Sequence, residues 1–297
     1  MLNFFRVTVF SLVAFFNGLL IYLLAYAFVD HQPKAVLITV LAVGALLAFS
    51  FSPAGEAVCR AFLRVRKLFP NEEARLLPLF REVCERAGEN PEEYQLFISP
   101  DASANAAALG RHTVILTRGL LHVADDEEIK AVMAHEVAHL KHRDSQILQA
   151  ASLLNSVGSA VVWVYTVIAV AMGFLASLFG ALAPGDPDYE YGYAFEGAGQ
   201  GFLMVAFAWL IRGLAWICYK ILQLSFLAVG RGQEYRCDAF AAQLGYGTAL
   251  ARFLDKSWQE AGYYKPGFFT TLMSTHPDPG ARISRLMQAG PGSLGQG

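Results

Sequence analysis

The sequence predicts an α-helical multi-pass membrane chain carrying an α+β portion outside the bilayer. Three observations predict it: long apolar segments near the N-terminus and past the middle, a polar and periodic stretch between them, and two short β-branched or aromatic runs inside that stretch. Composition agrees, because 55% of the 297 residues are hydrophobic and 16% charged, whereas soluble domains carry about 25% charged residues. So much apolar surface needs a solvent other than water.

The first apolar segment runs from Phe4 to about Val29, and at 1.5 Å per residue it reaches about 39 Å, enough to cross a hydrocarbon core of about 30 Å with tilt. A polar joint, Asp30 to Lys34, leads to a second span from Ala35 to about Phe51, which makes a helical hairpin. Ala25-Tyr26-Ala27 resembles a signal cleavage site. The apolar run is longer than a signal peptide's and a second span follows at once, so the sequence predicts a retained membrane helix.

Residues 57 to 146 differ. Glu72 to Arg86 reads as a helix with Pro78 as an irregularity, and Tyr94 to Ile98 and Thr113 to Thr117 read as strands. Asp125 with Glu128 three residues on resembles a capping box, which starts a helix expected from about Asp126 to Ser145. A third apolar stretch covers Ile147 to Ala183 and a fourth about Gly201 to Val229, the latter interrupted by Arg212 and Lys220.

Arg6, the Arg60 to Lys67 cluster, Lys141, Arg143, Arg231 and Arg236 all fall on one side of a four-span arrangement. The positive-inside rule puts that side, with both termini, in the cytoplasm. A net charge of -2 supplies no field for nucleic acid, which is therefore not an expected partner. The four cysteines, Cys59, Cys84, Cys218 and Cys237, have neither disulfide nor zinc-site spacing.

The chemistry lies in His135-Glu136-Val137-Ala138-His139. Residues four apart share a helix face, so both imidazoles can approach one ion while Glu136 lies beside them as a carboxylate base. A tetrahedral catalytic zinc needs a third protein ligand and an open position. His142 is about 10.5 Å along the axis from His135, too far for three rings to converge. The metzincin pattern fails too, because it needs a glycine and then a third histidine at the positions where this chain has His142 and Ser145. Glu234 in Gly232-Gln233-Glu234-Tyr235-Arg236-Cys237-Asp238 is the better candidate, because the chain returns there to the side of His135 and His139. Asp238, four residues on, could then accept a ring N–H from a ligating histidine. These residues predict one Zn2+ per chain and a water activated by Glu136 for peptide hydrolysis, in a zincin-like domain of gluzincin type.

With these motifs assembled, the chain resembles the HtpX family of membrane zinc proteases, relatives of the CAAX prenyl endopeptidases. The likeness includes the hydrophobic hairpin, Ser103 to Gly110, Thr117-Arg118-Gly119-Leu120-Leu121, the HEVAHL run, two inserted apolar segments, the Glu234 motif, and Thr275-His276-Pro277 with Arg282. It implies that Asn105 holds substrate backbone beside a strand near Val114, that His276 helps stabilise the tetrahedral intermediate, and that Arg282 orders its surroundings. Cys237 stands where the family usually has Ala, and Ala107 and Leu109 where an aromatic residue and Thr are usual.

The expected organisation is an N-terminal hairpin (1–56), a first catalytic part (57–146), an inserted helix pair (147–230), a second catalytic part (231–290) and a disordered tail (291–297). The resemblance implies quality-control endoproteolysis of misfolded or surplus membrane proteins, or of unfolded polypeptides, at the bacterial inner membrane. The alternatives are a prenyl-protein or maturation protease and a catalytically silent membrane scaffold.

Overall fold

The structure, a computed structural model, describes residues 2–29, 31–182, 202–203, 205–207, 209–214, 216–217, 232–261 and 279–288. By its contacts the chain forms two compact units, one of 1–7, 47–150 and 226–297 and the other of 8–46 and 151–225.

The second unit is helical. It takes most of α1 (Leu2–Phe28), α2 (Gln32–Ser50) and α7 (Asp144–Leu182). Three stretches are long and apolar enough to cross a membrane: Val7–Phe28, Gln32–Ser50 and Asp144–Leu175. Of the fourth expected span only part is described, and Val205–Leu214 is a shorter apolar helix. Within the unit, α1 and α7 meet through the buried Asn17, whose Nδ2 donates to Asn155 Oδ1 at 3.1 Å. Gly158 makes room for it, since a Cβ there would collide with Asn17 Oδ1. In an apolar solvent such a polar bond favours one helix pairing.

The first unit is α+β. Ser52 caps α3 (Pro53–Phe62) by accepting the Gly55 N–H, and Pro70 and Gly88 bound α4 (Pro70–Ala87) at its first turn and at its left-handed end. Pro78 lies on the exposed side of α4, where the carbonyl it leaves unbonded can meet water. A three-stranded sheet follows with order β1 (Gln95–Ser99), β3 (Thr113–Thr117), β2 (Ala106–Leu109). β1 pairs parallel and β2 antiparallel to β3. After α5 (Arg118–Val123) comes α6 (Asp126–Lys141), which packs against α4, β2 and α9 (Gly247–Ala261). The remaining helices are α8, described over 232–243, and α10 (Pro279–Gln288).

The core wraps α6. Ile129, Met133, Ala134 and Val137 are inaccessible to solvent and pack with Leu76, Val114, Leu116 and Leu250. Truncating Met133 to Ala would cost about 2–5 kcal/mol. The Asp125 and Glu128 box is present, with reciprocal bonds of 2.8 and 3.0 Å. Yet α6 ends at Lys141, short of the expected Ser145. His142 caps it, Arg143 takes a positive φ of 57°, and a new helix starts at Asp144.

Substrate backbone is expected beside a strand near Val114. That residue is fully buried in the middle strand. The Thr117 N–H bonds the Asn105 carbonyl and the Gln95 N–H bonds the His112 carbonyl, so by alternation the backbone of Val114 faces β1. β3 is thus paired on both sides, and the strand beside it with an open edge is β2. Among the described residues no strand pairs with the outer edge of β2, and the same alternation turns Ala106, whose N–H is bonded to Asn105 Oδ1, and Ala108 toward that edge.

Candidate metal centre

Three side chains converge where α6 meets α8. His135 and His139 project from one face of α6, and Glu234 arrives from α8 near the start of its described residues. The two imidazoles approach each other, and each approaches a different oxygen of the Glu234 carboxylate. His135 Nε2 and His139 Nε2 are 3.2 Å apart, His135 Nε2 is 3.4 Å from Glu234 Oε2, and His139 Nε2 is 3.3 Å from Glu234 Oε1. A tetrahedral zinc with bonds of about 2.05 Å has ligand-to-ligand edges of about 3.3 Å. Two imidazoles and a carboxylate at these separations are a donor set that could hold a divalent ion.

The surroundings are as informative as the three converging side chains. His135 turns Nδ1 to Asp238 Oδ1 at 3.0 Å, which fixes which ring nitrogen faces the centre. Arg282 of α10 holds Asp238 with Nε at 2.8 Å from Oδ2 and Nη2 at 2.6 Å from Oδ1, and its Nη1 lies 3.1 Å from Glu234 Oε2. Glu136, next along α6, is buried beside these charges and helps to keep the Arg282 guanidinium charged. His142 lies outside the cluster as the cap of α6.

Electrostatics favour a cation. Burial alone would lower the histidines, yet Asp238 and Glu234 push His135 up to about 10. Burial likewise opposes charge on His139, but Cys237, Asp144 and Glu234 raise it well above an ordinary imidazole. Burial would raise Asp238, and Arg282 and His135 hold it below the usual carboxylate range. The negative field that would retain protons on two buried imidazoles also favours a divalent ion in their place.

The other expected site residues fall as follows. Asn105 precedes β2, its Oδ1 accepting the Ala106 N–H at 2.9 Å and its own N–H donating to Thr117 Oγ1 at 2.9 Å. Arg282 is 3% exposed, inside the centre and not on the surface. His276 lies outside the described residues.

Three contributors escaped the sequence reading. Asp144, Arg236 and Cys237 gather behind His139. On an unbroken helix Asp144, five residues after His139, would face about 140° away from it. The left-handed turn at Arg143 brings it back, and nothing in a non-glycine sequence announces that turn.

A model of peptidase family M48 matches residues 70–289. Among curated relatives, a protease HtpX homolog of Aquifex aeolicus is 31% identical over 247 residues, covering 74% of this chain and 73% of the relative. Another, of Trichormus variabilis, is 28% identical over 306 residues and covers 94% of each. Among solved structures, the crystal structure of S. mikatae Ste24p aligns with TM-score 0.49 and 16% identity, covering 91% of this chain and 62% of that one, so less than two thirds of it.

Proposed function

Given that the chain belongs to peptidase family M48 and is a membrane metalloprotease like its HtpX relatives, we propose that it is a zinc-dependent endopeptidase that cleaves misfolded or surplus membrane proteins. The observation that carries this reading is the convergence of His135, His139 and Glu234, with the imidazole Nε2 atoms 3.2 Å apart and each 3.3 to 3.4 Å from one oxygen of the Glu234 carboxylate, spacings that suit a zinc ion.

One Zn2+ held by these three residues would supply a Lewis acid that polarises the scissile carbonyl and brings the attacking water toward neutral acidity. The remaining work belongs to the chain's own groups. Glu136 takes the water's proton as the carbon–oxygen bond forms and hands it to the departing amine as the carbon–nitrogen bond breaks. Asp238 keeps His135 in the tautomer that presents Nε2, and Arg282 holds Asp238 and Glu234 against their mutual repulsion. His276 is the candidate for supporting the oxyanion.

Substrate lies along β2. Its outer edge, through the Ala106 carbonyl and both backbone groups of Ala108, can take an extended peptide as a fourth strand, and Asn105 braces the start of that edge by holding the Ala106 N–H. Because such pairing is made through the main chain, it accepts many sequences, which suits a protease of unfolded polypeptides. The lysines and arginines gathered on one side of the apolar segments favour the cytoplasmic face of a bacterial inner membrane for this centre.

The test is cleavage of casein and of a membrane-protein substrate by the purified chain. Activity lost to a chelator and restored by zinc supports the reading, and equal cleavage in both conditions removes it.

A further inference from the structure

His135 and His139 are backed in parallel ways, and only the first follows from the glutamate motif. At His135 the chain of contacts is Nδ1 to Asp238, then Asp238 to Arg282. At His139, Nδ1 lies 3.5 Å from Asp144 Oδ2, and Arg236 Nη2 lies 3.1 Å from the same oxygen and 3.3 Å from Oδ1. Asp144 is 6% exposed, although it opens a long helix where a carboxylate could have faced water.

We propose that Asp144 is a positioning residue for His139 and that Arg236 holds Asp144 in place, so that each ligating histidine is aimed by an aspartate locked to an arginine. The inference rests on the zinc-protease reading above. A carboxylate against Nδ1 draws the ring proton to that nitrogen and leaves the Nε2 lone pair pointing at Glu234 and His135. The side chain reaches His139 only because Arg143 adopts a left-handed conformation that most side chains avoid. Nor is Asp144 simply a favourable charge on the first turn of α7, since an exposed carboxylate would serve the helix dipole equally. Arg236 is placed for its task by α8 itself, two residues after Glu234 and two before Asp238, so one helix delivers a ligand, one aspartate brace and the arginine that secures the other.

The experiment uses the full chain in detergent with Asp144→Ala, Asp144→Glu and Arg236→Gln. Zinc affinity is measured by competition with a chelating dye, and the visible spectrum is recorded after cobalt replacement. Asp144→Ala should weaken zinc binding by about 10- to 100-fold and alter the cobalt bands. Asp144→Glu should recover part of both, and Arg236→Gln should shift them in the same direction as Asp144→Ala. Should Asp144→Ala fail to fold, Asp144→Asn keeps an acceptor oxygen without the charge, and weaker zinc binding is again expected. A folded Asp144 variant with wild-type affinity and an unchanged cobalt spectrum overturns the inference and leaves the zinc-protease reading standing. Wild-type protein that binds no zinc overturns both.

Discussion

Arg282 grips Asp238 through two parallel hydrogen bonds, Nε to Oδ2 at 2.8 Å and Nη2 to Oδ1 at 2.6 Å. Both side chains are buried, and the same guanidinium lies 3.1 Å from Glu234. Arg282→Ala would strand two buried carboxylates, and breaking such a pair costs about 3–5 kcal/mol. Denaturant unfolding should show a loss of that size. Arg282→Lys should recover only part of it, because an ammonium cannot span both oxygens.

Glu136→Gln keeps the shape of the side chain and removes the base. Peptide hydrolysis should fall by about 10²–10⁴-fold. Zinc content measured on the same protein should match wild type, since Glu136 lies outside the candidate metal-holding group of His135, His139 and Glu234. A variant that loses metal along with activity would move Glu136 from base to ligand.

Proline scanning of β2 separates its two edges. The Ala108 N–H points to the open side, so Ala108→Pro deletes a donor to substrate and no bond to β3. A peptide substrate's KM should rise roughly 3- to 10-fold, the value of one hydrogen bond of about 1 kcal/mol, with kcat little changed. Ala107→Pro instead breaks a bond to β3 and should lower thermal stability. Identical kinetics for Ala108→Pro and wild type would argue against substrate pairing on this edge.

Acid titration tests the electrostatics away from the centre. Arg66 binds Glu72 through both nitrogens, at 2.6 and 2.7 Å, and holds that carboxyl below its ordinary range. Because the folded value is lowered, this contribution is fully present above the unfolded value of about 4.3 and fades as pH falls through the folded one. Arg66→Met should therefore flatten stability against pH below about 4.3. An unchanged acid limb would show that other carboxylates dominate it.

Much of this architecture is written in local pattern. The β-branched run Thr113–Thr117 becomes β3, and the acidic capping box before Ile129 starts α6 where expected. β2 is invisible as a strand because Ala106, Ala107 and Ala108 carry almost no strand preference, and the pairing with β3 decides their conformation. The ends of elements are harder to read for the same reason. Arg143 breaks the expected helix through tertiary constraint, and α3 is set apart from α2 by the bend at Phe51 and Ser52. The helical spacing of His135 and His139 is legible, as is the return of the chain at Glu234. The carboxylate and arginine behind His139 are not, since they depend on a turn that no residue type marks.

The most direct measurement is anomalous diffraction from crystals of the full chain at the zinc absorption edge. The account predicts one peak per chain, about 2.0–2.1 Å from His135 Nε2, His139 Nε2 and a Glu234 oxygen, and its disappearance in Glu234→Ala. A zinc-replete crystal with no peak among those three residues, or one that survives loss of the Glu234 carboxylate unchanged, would contradict it.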